Sequence, residues 1–168
     1  MELLQKNDRK EIFGWMLYDW ANSAFYTTVV AVLLGPYLIS LAERSVGKEG
    51  VVLDLYLFNV TTGGLPAFCI AISVVSMVVL LPILGSIADY TNLKKTLMAF
   101  FCYLGVVTSS LLFFVTGESY VIGSVLLIVS NVGFAAANVF YNAFLIDIAS
   151  EDKRDKVSTY GYAAGYIG

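Results

Sequence analysis

Charged residues divide this chain into long apolar runs separated by short polar clusters. Between Glu11 and Glu43 the only charge is Asp19, and Leu55 to Ala88, Thr96 to Gly117 and Ser119 to Ile146 carry none. A helix needs about 20 mainly apolar residues to cross a hydrocarbon core, and each run supplies them. The pattern predicts four membrane-spanning helices, at about 12–42, 65–88, 96–116 and 120–149. A further run opens at Val157 and reaches Gly168 without a charge or a polar exit, which predicts the start of a fifth helix, about 158–168 and incomplete. Backbone carbonyls left unpaired in lipid cost several kcal/mol each, so the expectation is an amino-terminal fragment of a longer protein. Residues 1–11 read as a tail and 12–168 as the membrane region.

Punctuation within the runs refines the picture. Pro66 is expected in the first turn of the second helix, where a missing amide donor is harmless, and Pro82 is expected to bend its far end. The connections Tyr90 to Lys95 and Gly117-Glu118 are so short that helices two to four must run antiparallel to their neighbours. Gly133 and Ala137, and again Gly161 and Gly165, stand four apart and mark faces where helix backbones approach closely.

Composition agrees: 58% hydrophobic and 14% charged residues, with a mean hydropathy of +0.77, require lipid as the solvent. The net charge of −3 matters less than the placement of the bases. Lys6, Arg9 and Lys10 precede helix one, Lys94 and Lys95 follow helix two, and Lys153, Arg154 and Lys156 follow helix four, against only Arg44 and Lys48 on the other side. By the positive-inside rule the N-terminus and the connections after helices two and four are cytoplasmic. Phe13, Trp15, Tyr18 and Trp20 read as an aromatic belt at that interface. A cleaved signal peptide is rejected, because Glu11 and Asp19 lie on the approach to a span too long for one. On the opposite side, Asn59-Val60-Thr61 fits the glycosylation acceptor pattern, which matters only in a secretory-pathway protein. Cys69 and Cys102 fall in predicted spans and the chain has no histidine, so no disulfide framework, metal site or cofactor is predicted, and no nucleic-acid partner.

Candidate chemistry lies on two helical faces. Asp19, Asn22, Ser23 and Tyr26 stand at i, i+3, i+4 and i+7 of helix one, whereas Ala21, Ala24 and Thr28 point elsewhere. Asn131, Asn138 and Asn142 share one face of helix four. Polar stripes in hydrocarbon need partners, so the two faces are expected to turn inward, towards each other or towards water. Interhelical hydrogen bonding alone, at roughly 0.6 kcal/mol per bond, accounts for the asparagines as well as a transport path does. Asp19 differs, since a carboxylate at membrane depth costs about 2.5 to 3.5 kcal/mol unless protonated, paired or hydrated. Asp89 stands near the C-terminus of helix two, where the helix dipole disfavours it, and asks for a partner such as Lys94, Lys95 or the start of another helix.

Gly85-x-x-x-Asp89 followed by Lys94-Lys95 resembles the loop signature between helices two and three of the major facilitator superfamily. Gly85, Asp89 and Lys94 fit, Tyr90 and Leu93 stand where bases are usual, and Asn92 stands for a glycine. Tyr18-Asp19-Trp20-Ala21-Asn22-Ser23-Ala24-Phe25, Tyr141 to Asp147 and the glycine-tyrosine run from Ser158 to Gly168 narrow the resemblance to the branch of autophagy-related vacuolar amino-acid effluxers and their bacterial relatives; Ile146 stands where members often have proline. The resemblance implies an all-α membrane protein, a major facilitator-type bundle of two six-helix halves built from inverted repeats, of which this chain supplies the first four helices and the start of a fifth. It also implies a secondary transporter of small solutes such as amino acids, working by alternating access. Asp19, Asn22, Ser23, Tyr26, Asn138 and Asn142 would lie on the substrate or coupling-ion path, and Gly85, Asp89 and Lys94 would form a conformational loop. The expected partners are the bilayer, a small solute, a proton or sodium ion and the missing C-terminal half. The expected location is the plasma membrane in a prokaryote, or a vacuolar or other organelle membrane in a eukaryote. A multi-span adaptor or receptor-like protein that moves no substrate is the alternative. An enzyme is not expected, because the spans hold no histidine, no paired acid and base and no glycine-flanked nucleophile, and there is no nucleotide-binding loop for ATP-driven pumping.

Overall fold

A computed structural model describes residues 6–90 and 93–167, with Ala31 described by its backbone alone. The first five residues of the tail, Asn92 of the loop signature and Gly168 at the end of the fifth helix lie outside the described residues. The chain is an all-α membrane bundle. Four helices are long and apolar enough to cross a bilayer, Arg9–Val46, Leu65–Tyr90, Lys94–Phe114 and Tyr120–Ile148, among the described residues.

The first span has three parts: α1 (Arg9–Ala24), a π-helical stretch (Phe25–Leu34) and α2 (Gly35–Val46). Asp8 caps α1 by accepting a hydrogen bond from the Lys10 amide at 2.6 Å. The span's 38 residues would rise roughly 57 Å as an α-helix, well beyond the hydrocarbon core, so its ends extend past the expected 12–42. The π winding is a departure from the expected straight α-helix, and Pro36 offers its physical reason. A proline ring clashes with the carbonyl four residues back, and wider winding ahead of it moves that carbonyl aside. Gly47, at φ 85°, ends α2 in a conformation that glycine adopts without a steric penalty.

The connection to the second span contains a hairpin that hydropathy did not predict: β1 (Val51–Leu55) pairs antiparallel with β2 (Phe58–Thr61). Leu53 opposes Val60, Asp54 opposes Asn59 and Leu55 opposes Phe58, with an irregularity between Val51 and Leu53. Then follow α3 (Leu65–Tyr90), with Pro66 in its first turn and Pro82 inside a continuous helix, and α4 (Lys94–Leu111), which tightens into one 3₁₀ turn at Leu112–Phe114. Gly117, at φ 70°, makes the turn into α5 (Tyr120–Ile148). The fifth helix, α6 (Arg154–Ile167), starts four residues before the expected Ser158.

Packing forms three clusters along the bundle. At the hairpin end Leu34, Leu38, Leu41, Leu65, Leu112 and Leu127 meet. Midway Met77, Leu84, Ala136 and Phe140 join α3 to α5. At the other end Trp15, Tyr141, Ile148 and Val157 join α1, α5 and α6. Small residues set the closest approach: a methyl group added at Gly133 would lie 3.0 Å from both the Gly105 nitrogen and the Phe101 oxygen, so α4 and α5 touch backbone to backbone. The aromatic belt is corrected in part. Phe13 and Trp20 are exposed, but Trp15 is buried and Tyr18 half-buried, because each turns towards α5.

Candidate functional site

The polar face of α1 meets α5 and α6. The Asn22 amide Nδ2 donates to Asn138 Oδ1 at 3.0 Å, which joins the first span to the fourth within their apolar lengths. Asp19 and Ser23 face Gly165 of α6: a Cβ at that glycine would lie 2.7 Å from Asp19 Oδ2 and 2.9 Å from Ser23 Oγ. The Ser23 hydroxyl donates back to the Asp19 carbonyl at 2.9 Å, and Thr27 repeats the pattern onto Ser23 at 2.9 Å, which uses local acceptors, while the Asp19 carboxylate itself accepts from the Tyr141 hydroxyl. Among the described residues no base pairs with Asp19; the ion pair they contain is elsewhere.

Tyr26 is exposed and stacks on Phe134, with ring centroids 6.0 Å apart. Asn142 is exposed on α5 and Asn131 half-buried, so the structure gathers Asp19, Asn22, Ser23 and Asn138 at one junction and leaves Tyr26 and Asn142 at its margins. Next to the junction, Trp15 stacks on Tyr141 at 4.4 Å and 9° and donates its Nε1–H to the Tyr141 carbonyl at 3.0 Å. That anchor was hidden in the sequence because Trp15 fits an interfacial belt equally well. A cavity of about 210 Å³ opens beside Asn22, walled by Phe25, Gly105, Phe134 and Ala137, and one of about 440 Å³ lies between α1 and α4 below it, lined by Glu11, Trp15, Tyr18, Met98 and Cys102 among others.

At the basic end the loop signature behaves differently from expectation. Lys94 does not serve Asp89: its Nζ pairs with Asp147 Oδ2 on α5 at 2.7 Å, both groups partly exposed. Asp89 is exposed at the end of α3 and Gly85 is half-buried within it. The pairing has an electrostatic reason. Lys94 opens α4 and Asp147 nearly closes α5, so each charge opposes the dipole of its own helix and each relieves the other. Asn7, at φ 71°, adds a clasp there: its amide donates to the Ile148 carbonyl at 2.7 Å, and its Oδ1 accepts from the Ser150 amide at 3.2 Å and the Ser150 hydroxyl at 3.1 Å. On the same connection a hydrogen bond from Ser150 holds the exposed Asp152 carboxyl below the ordinary aspartate range.

The family model described as "Vacuole effluxer Atg22 like" matches residues 7–165. The chain belongs to this family. It is 38% identical over 98% of its length to an uncharacterised MFS-type transporter, YxiO, of Bacillus subtilis, of which it covers 36%. Autophagy-related protein 22 of Yarrowia lipolytica is 34% identical over 59% of this chain and 17% of its own length, and that of Gibberella zeae is 23% identical over 82% and 24%. The chain therefore spans about a third or less of the length of these curated relatives. No solved structure matches it. Membership fits a multi-pass membrane chain whose polar groups converge between spans.

Proposed function

We propose that the full-length protein is a secondary transporter of small solutes, amino acids foremost, that works by alternating access, and that this chain forms the first part of its major facilitator-type fold with the N-terminus in the cytoplasm. The observation that carries the reading is the Asn22–Asn138 bond beside Asp19. One such bond uses a single donor and a single acceptor of the two amides, so the remaining donors and lone pairs are free for a polar solute. A carboxylate with no base beside it, at membrane depth, is stable when it holds a proton or faces a cation. These are the states through which a proton, sodium ion or ammonium group would pass. Asp19, Asn22, Ser23, Tyr26, Asn138 and Asn142 then form part of the path. Gly85, Asp89 and Lys94 form the loop that changes with conformation, with the Lys94–Asp147 pair holding one state. The family's description as an effluxer and the Bacillus subtilis relative's as an MFS-type transporter support the same reading.

The test uses the full-length protein in proteoliposomes, with labelled amino acids as the solute and cysteines placed singly in a background lacking Cys69 and Cys102. Positions Asn22 and Ser23 should react with a water-soluble thiol reagent and be protected by the transported solute, while Ala24 should not react. Asp19→Asn should slow uptake and flatten its pH profile. Absence of labelling on either face, together with normal transport by Asp19→Asn, returns the cluster to interhelical packing; absence of any solute movement in the native protein favours an adaptor.

A further inference from the structure

The β1–β2 hairpin sorts its side chains by chemistry. Directly opposed residues of an antiparallel pair project to the same side, and sides alternate along each strand. The register therefore puts Leu53, Leu55, Phe58 and Val60 on one face, and Asp54 with Asn59 on the other. The two-residue turn adds Tyr56 and Leu57, 103% and 87% exposed. Three contacts fix the attitude of the hairpin: Val60 is buried, Val52 packs against the cluster at that end of the bundle, and the Phe58 ring meets Phe68 edge-on at 6.4 Å. Phe68 lies in the first turn of α3, so the hairpin is held along the end of the bundle by its apolar side, with its tip beside the point where α3 enters the membrane. Leu53, Tyr56, Leu57 and Phe58 stay exposed there, as do Ile70, Val74 and Val75 of the spanning helix.

We propose that the hairpin is an interfacial anchor, which lays the part of its apolar face that the bundle leaves uncovered, with the Tyr56-Leu57 tip, into the headgroup–acyl boundary of the leaflet at that end of the bundle. The division of faces suits lipid: the polar pair Asp54 and Asn59 remains in water, while the uncovered patch offers only apolar groups and one phenol, the residue type enriched at headgroup level. The anchor also ties the long first span to α3, since both strands connect them through few residues.

Nitroxide labels placed singly at Leu57 and at Asn59, in the full-length protein lacking Cys69 and Cys102 and reconstituted in phosphatidylcholine–phosphatidylglycerol vesicles, test this directly. Collisions with oxygen, which concentrates in lipid, should exceed collisions with a polar nickel chelate at Leu57, and the order should reverse at Asn59. A Leu57 label as accessible to nickel as the one at Asn59 would put the tip in water. A Leu57 label that is immobile and reached by neither reagent would put it against protein. Either result overturns the anchor.

Discussion

Exchanging the two members of the Lys94–Asp147 pair tests whether helix dipoles determine its worth. The charges sit 2.7 Å apart with 19% and 33% of their side chains exposed. A hydrogen bond between charged groups contributes about 1.5–3 kcal/mol, which partial exposure reduces to about 1–2. Lys94→Met or Asp147→Asn loses that, offset by ~0.3–1 kcal/mol because the removed charge no longer opposes the dipole of its own helix. The exchange Lys94→Asp with Asp147→Lys rebuilds the pair and turns both charges to the favourable helix ends, so it should recover the loss and gain about 0.6–2 kcal/mol. Cys69, 1% exposed, gives the assay: in detergent, with Cys102 replaced, its reaction with a thiol-reactive fluorophore on heating reports unfolding. The expected order of midpoints is exchange, native, single variants. If the exchanged protein unfolds where the sum of two single losses would put it, the pair is not coupled and the dipole argument fails.

Gly133→Ala must drive its methyl into the Gly105 and Phe101 backbone and should cost about 1–3 kcal/mol, whereas Gly105→Ala, whose nearest neighbour would lie 3.4 Å away, should cost less; equal midpoints for the two would remove the close helix contact as a cause. Asn7→Gly keeps the positive φ but loses the Ser150 bonds, while Asn7→Ala loses both and should be worse by about 1 kcal/mol, with faster amide exchange at Ser150 in each as the measurement.

Spans were legible because hydropathy runs depend on lipid alone and not on which helix neighbours which. The facing of α1 and α5 was legible for the same reason, since a 3.6-residue period collects Asp19, Asn22 and Ser23 on one side whatever the tertiary contacts are. Partner choice was not. Lys94 lies five residues from Asp89 and 53 from Asp147, and only the antiparallel placement of α4 against α5 brings the distant acid nearer. The hairpin escaped notice because β1 and β2 are short, and Val51 to Thr61 adjoins the apolar run of the next helix without a charge after Asp54. The π stretch left only Pro36 as a trace, and Asn7 gave no pattern at all, its role depending on a left-handed backbone and on Ser150 far along the chain.

Gly165 connects the packing of this chain to its chemistry. A small residue there lets α6 approach α1, as Gly133 does for α4 and α5, yet the neighbours differ in kind: backbone atoms at Gly133, the ends of Asp19 and Ser23 at Gly165. A glycine Cα offers the carboxylate neither a donor nor a charge, so the close approach brings Asp19 among helices and leaves the Tyr141 hydroxyl as the donor that meets it. A serine or asparagine at position 165 would bring its Cβ to 2.7 Å from Asp19 Oδ2 and 2.9 Å from Ser23 Oγ, so it could not pair with the acid unless α1 and α6 moved apart. On the proposed transport reading, a carboxylate held by one neutral hydroxyl, with no base paired to it among the described residues, is suited to taking up and releasing a cation.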